Sequence, residues 1–174
     1  GTYEFRTKKH EFSVSIAFVS DGEIQLAAIY YPMSDDLYFA DETWTYKNQK
    51  PARVSNVDDF SVSMHNWPMS SVSRVAKRAS EELIPFRSSF GQIRDIGPCT
   101  YKLTSVADGY FDSVVFLYDG LPLDLSACEY IVQQSGGRIC DIDGNPWHAF
   151  CNTLVASNSS LHEAIVQKIS NHGS

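Results

Sequence analysis

Cysteine is scarce in this sequence, and its few copies are poorly placed for chemistry. It occurs 4 times, as Cys99, Cys128, Cys140 and Cys151, with no CxxC pair, and no two histidines stand at zinc-ligand spacing. That excludes the common structural zinc sites and reads as free, buried thiols in a reducing compartment, so a cytoplasmic protein is expected. Positive charge is also in deficit. Lys and Arg number 14 against 21 Asp and Glu, a formal net charge of -7. General nucleic-acid binding needs a basic face to displace counterions, so no nucleic-acid partner is expected. The deficit leaves room for a small phosphorylated substrate, because a metal ion can supply the positive charge. No apolar run approaches the roughly 20 residues of a membrane-spanning helix, and no signal-peptide pattern is visible. Low-complexity tracts, internal repeats and linkers are lacking too.

What is present is ordinary for a globular protein: 174 residues, 43% hydrophobic and 20% charged, enough for one domain or most of one with a sizeable core. Residues 11–19 alternate polar and apolar, with β-branched residues on both faces, and 23–31 are similar, with Asp21-Gly22 between them, a hairpin signal. Residues 36–40 and 42–47 read as short strands, 48–51 as a turn, and 52–64 as one or two further strands. The first third is therefore expected to be an antiparallel sheet. The period then changes. Helices are expected over 70–84, 98–108, 122–135 and 159–170, with Pro98 and Pro122 in first turns and glycines after the second and third. Strands are expected at 111–117, 138–141 and 153–156. The histidines (His10, His65, His148, His162 and His172) read as surface or turn residues, and Tyr30, Tyr31 and Trp44 as packing residues.

Five segments, in order, resemble the inositol monophosphatase-like family of metal-dependent phosphatases. They are Gly1-Thr2 with the strand Phe12–Ala17; Ala28–Ala40; Arg94-x-x-Gly97 with Val106-Ala107-x-Gly109-x-x-Asp112; Leu123–Ala127 with Ser135-Gly136-Gly137 and Asp141-x-Asp143-Gly144-x-Pro146; and Leu154–Asn158. The resemblance covers the whole chain. It implies a layered α-β-α-β-α sandwich, here a single domain over 1–174 with an antiparallel part (1–69) and a mixed α/β part (70–174). It also implies a chain starting at the Gly-Thr of the family's Asp-Pro-Ile/Leu-Asp-Gly-Thr motif.

The same resemblance implies site residues. Asp124 becomes a Mg²⁺ ligand at a helix entrance, where an acidic residue also suits the helix dipole. Thr2 becomes the catalytic residue that orients the attacking water and contacts phosphate, and Gly1 allows close main-chain approach. Gly97, Pro98 and Cys99 become lining of the substrate pocket at a helix N-terminus, with Pro98 where the family usually has Ser or Thr. Leu123 stands where the family often has Trp. Leu117 stands where inositol-specific members carry an acid, with Asp119 nearby, which weakens the case for myo-inositol phosphate. Gly-Thr-x-Glu-Phe also looks like the adenosine bisphosphate nucleotidase branch. Expected partners are a small phosphorylated substrate, the missing N-terminal portion of the same protein and a second copy in a homodimer. Without that portion the fragment is expected to be inactive, with an exposed sheet edge and apolar face. The rival expectation is a non-catalytic interaction module that kept the fold and lost the metal site.

Overall fold

The computed structural model describes residues 5–7, 12–67, 90–117, 125–151 and 153–170. The helix expected over 70–84 lies outside these residues, as do Gly1, Thr2, Leu123 and Asp124.

Short runs of apolar and aromatic residues joined by tight turns give the first third a five-stranded meander. It comprises β1 (Val14–Ser20), β2 (Glu23–Tyr31), β3 (Asp36–Ala40), β4 (Thr45–Lys47) and β5 (Lys50–Ala52), each paired antiparallel with its sequence neighbour. Asp21 (φ 54) and Gly22 (φ 85) connect Ser20 to its partner Glu23. Two left-handed residues in a two-residue loop match the twist of the strands they join. Asn48 (φ 49) and Gln49 (φ 66) do the same between Lys47 and Lys50. The second loop is shorter than the 48–51 turn expected, because β5 resumes at Lys50. Pro51 is tolerated there since β5 is an edge strand.

The strands expected across 52–64 shrink to β6 (Met64–Asn66). Asp59 takes both the backbone N–H and the hydroxyl of Ser61 at 2.8 Å. Such local bonds draw the backbone away from a ladder. The second sheet adds β7 (Gln92–Arg94), β8 (Ser113–Leu117), β9 (Gly137–Cys140) and β10 (Thr153–Asn158), in the order β7-β6-β8-β10-β9. β6 runs parallel to β7 and β8, while β10 is antiparallel to β8 and β9.

Three described helices, α1 (Cys99–Ala107), α2 (Ser126–Gln134) and α3 (His162–Ser170), complete the layers. One core joins Ala27, Ile29, Tyr31 and Tyr38 of the first sheet to Leu103 and Val106 of α1, to Cys128 and Ile131 of α2, and to Val114, Phe116, Leu154 and Ala156 of the second sheet. A second core joins Val115 and Val155 to Leu161, Ile165 and Ile169 around α3, and to Trp67 and Phe90. Successive residues of β8 and β10 thus enter opposite cores, the period-two alternation of a strand covered on both faces. The layers are sheet, helix pair, sheet, helix, a mixed α+β fold as expected.

Two histidine assignments are corrected. His65 and His162 are buried, not surface residues. The His65 ring is bonded at both nitrogens, to Ser63 Oγ and Ser113 Oγ, each at 2.6 Å. The His162 Nδ1 meets Ser157 Oγ at 2.7 Å. Burial holds each imidazole neutral, with its pKa lowered to about 4. Cys128 and Cys140 are buried, and Cys99 and Cys151 are half-buried. Tyr31 packs in the core as expected, while Trp44 is exposed, with the Arg53 guanidinium 3.9 Å from its ring centre.

Candidate active site

β6, β7 and β8 run parallel, so their carboxyl ends emerge at one end of the second sheet. α1 follows β7 and α2 follows β8 from that end. In open α/β sheets this is where ligands bind. Gly97–Cys99, singled out in the sequence, belong to the first of these connections. Leu125, which follows Asp124, is buried and N-caps α2 in the αR conformation.

Gly97 has φ +73, and a Cβ there would come within 2.6 Å of the Tyr101 ring. A glycine is therefore required twice over, by dihedral and by space. Pro98 is the N-cap of α1 rather than its first residue, with φ -74 and ψ 173. Its carbonyl accepts the Lys102 N–H at 3.0 Å, but it has no side-chain oxygen to cap the first turn. Leading N–H groups of a helix have no intrahelical acceptor, and this end is a favourable place for an anion. Cys99 packs against the main core.

The loop carrying these three residues is fixed by a lysine that the sequence did not single out. The Lys102 ammonium, 5% exposed, donates to Asp95 Oδ1 at 2.7 Å, to Asn66 Oδ1 at 2.9 Å and to the Ile96 carbonyl at 3.3 Å. Asn66 clasps Ile96 from both sides, accepting its N–H at 2.9 Å and donating to its carbonyl at 3.0 Å. Burial lowers the Lys102 pKa, and Asp95 opposes that shift. Nearby, Ser13 Oγ and Thr100 Oγ1 lie 2.9 Å apart. That bond ties the start of β1 to the first turn of α1, so the first and third segments of the resemblance meet in space.

Other residues in the resembling segments have structural work. Asp112 accepts from the Met64 N–H at 2.6 Å and from the Ser55 hydroxyl, and Asn158 donates to Ser55 Oγ at 2.7 Å. Asp141 Oδ1 accepts the N–H groups of Asp143 (3.0 Å) and Asn145 (2.8 Å), which closes the turn at Gly144. Among the described residues no group of three or more His, Cys, Asp or Glu side chains is placed to hold a metal ion. Glu129, in the first turn of α2, is the described carboxylate closest in sequence to Asp124; burial raises its pKa to about 7, against a hydrogen bond from Gln133.

The model of the inositol monophosphatase family matches residues 1–174. The chain belongs to the inositol monophosphatase family. It is 25% identical to a fructose-1,6-bisphosphatase/inositol-1-monophosphatase of Thermotoga maritima, covering 97% of this chain and 64% of that protein. It is 27% identical to a putative Nus factor SuhB of Neisseria meningitidis serogroup B, covering 99% of this chain and 66% of the relative. The chain thus spans just under two thirds of the length of these curated relatives. In fold it is similar to the crystal structure of the extragenic suppressor protein suhB of Bartonella henselae, with a TM-score of 0.89 at 24% identity, over 99% of this chain and 67% of that one. The mixed α+β class read from the sequence is therefore the class found, with the described residues supplying two sheets and three helices.

Proposed function

We propose that this chain is the larger part of a Mg²⁺-dependent phosphomonoesterase acting on a small phosphorylated metabolite of the inositol monophosphate or adenosine bisphosphate type. The observation that carries the reading is the α1 N-terminus. Gly97, Pro98 and Cys99 are held by Lys102 and Asn66 at the carboxyl end of a parallel strand, in a chain matched to the family over its whole length. In this reading these three residues line the substrate pocket. Gly1 lets the main chain approach the phosphate, and Thr2 holds the attacking water. Asp124 is the metal ligand that this chain supplies. The described residues hold no metal cluster, so the other ligands come from outside them. Mg²⁺, when bound, neutralises phosphoryl oxygens and lowers the pKa of a bound water.

The unmatched third of the relatives' length bears on activity and on folding. The outer face of the first sheet is apolar and open, with Val14 50%, Ile16 61%, Phe18 56% and Leu26 40% exposed. In this reading an N-terminal portion of the same protein covers that face, and the 174 residues alone are inactive. They form one domain, 1–69 antiparallel and 70–174 mixed, in a cytoplasmic homodimer. No described helix is long and apolar enough to cross a membrane.

A second reading has its own support. A relative named as a putative Nus factor SuhB is at least as similar as the phosphatase, and Pro98 removes a hydroxyl and an N–H from the pocket. A non-catalytic interaction module would keep the fold and lose turnover. Phosphate release from inositol monophosphate and adenosine 3′,5′-bisphosphate, with Mg²⁺ titrated and the complete reading frame expressed, separates the two. Mg²⁺-dependent release supports the enzyme, and none with either substrate supports the module.

A further inference from the structure

A cavity of about 450 Å³ lies between the first sheet and one face of α1. Its size is that of a small-molecule site. Tyr101, Ser105 and Asp108 contribute from α1 and its C-cap at helical spacing, and Tyr31, Tyr38 and Lys47 face them from β2, β3 and β4. Ser34, Asp36 and Tyr110 form the rest of the lining. Tyr31 meets Tyr38 edge-on at 6.0 Å between ring centres and Tyr101 at 6.3 Å. Aromatic faces carry partial negative charge.

The polar lining has the same sign. Asp36 and Asp108 are both acidic, and Asp108 caps the C-terminal, negative end of α1, whose last turn holds no basic residue. Among the described residues, the one cation in the lining is Lys47. Its ammonium sits 2.8 Å from Asp108 Oδ2 and 5.0 Å from the centre of the Tyr38 ring. Tyr38 OH donates to the same Asp108 oxygen at 2.7 Å. An ammonium between a tyrosine face and a carboxylate is thus already accommodated here, supplied by a side chain that is itself 35% exposed and able to swing out. Burial and Asp108 raise the Tyr38 pKa, so the phenol stays neutral at working pH.

We propose that this cavity is a binding site for an organic amine with an apolar stem, a linear diamine or polyamine. One ammonium replaces or joins Lys47 at Asp108 and Tyr38, and the methylene stem lies along the tyrosines. The net charge of -7 favours the encounter. The site is independent of the phosphatase reading.

The test is isothermal titration of the full-length protein with putrescine and spermidine, and with glucitol as a neutral polyol of similar size. One saturable amine site is expected. Asp108→Asn should weaken it at least tenfold. Lys47→Gln should strengthen it severalfold by freeing Asp108. Tyr110→Ala, at a residue 59% exposed and so safe for folding, should weaken it severalfold. The proposal is overturned by the absence of saturable amine binding, by equal binding of glucitol, or by binding indifferent to both Lys47→Gln and Tyr110→Ala.

Discussion

The two sheets of this molecule are built from similar residues but stand differently toward solvent. The second sheet is covered on both faces, and alternate residues of β8 and β10 enter two cores. The first sheet buries Ala27, Ile29, Tyr31 and Tyr38 on one face and leaves Val14, Ile16, Phe18 and Leu26 open on the other. The open residues pair across strands, Phe18 with Leu26 and Val14 with Tyr30, so they form a continuous surface rather than scattered exposures. β1 is also an edge. An apolar face beside an unpaired edge is what a protein ordinarily covers. The difference teaches that the described residues cover the second sheet on both faces and the first on one only.

Substitutions and pH separate the two sheets by size of effect. Trp67→Ala in the second core removes a side chain with 0% exposure, packed 4.7 Å from the Phe90 ring centre, and should cost about 3–5 kcal/mol in urea unfolding. A cost under ~1 kcal/mol would break the comparison.

Acid should attack the same region next. His65 and His162 have folded pKa values of about 4 against 6.5 unfolded, so the unfolded chain binds more protons between those values. Stability is therefore full above pH ~6.5, is lost as pH falls from there to about 4, and levels off below, by up to about 3 kcal/mol per histidine. His65→Gln should flatten part of that slope in a pH series of urea midpoints; an unchanged slope would contradict the assignment.

Lys102→Met strips a buried cation from Asn66 and from Asp95, a residue that keeps some solvent contact. It should cost about 2 kcal/mol. Hydrogen exchange should show the Asp95–Cys99 loop loosening while β2 and β3 stay protected. On the open face, Ile16→Thr with Phe18→Thr should change stability by less than about 0.5 kcal/mol in the 174-residue chain and reduce hydrophobic-dye binding. A loss of several kcal/mol there would mean the face is already covered.

Much of this was legible in the sequence where the cause is local. Asp21-Gly22 announces its hairpin because the turn needs two left-handed residues, and Pro98 and Gly109 bracket α1 within a residue. β7 was missed because three residues carry no period, and 53–63 was misread because Asp59 and Ser61 satisfy the backbone locally. The burial of His65 was missed because one of its two hydroxyl partners, Ser113, lies 48 residues away; the partner of His162, Ser157, is close in sequence but stands on β10, a different element. Within the site, Gly97 was singled out through its motif, and the structure gives it φ +73 with no room for a Cβ beside Tyr101. Lys102 was not, since its partner Asn66 is 36 residues away and nothing in a helical period marks a lysine as buried.

In the phosphatase reading Asp124 is the metal ligand and Thr2 the residue that orients the attacking water. The most direct measurement is Mg²⁺-dependent phosphate release by the product of the complete reading frame, wild type beside Asp124→Asn, with circular dichroism on both. The account predicts turnover in the wild type and a loss of at least about a thousandfold in the variant, with an unchanged fold. Near-wild-type turnover by Asp124→Asn, or none by the wild type with inositol monophosphate and adenosine bisphosphate alike, would contradict it.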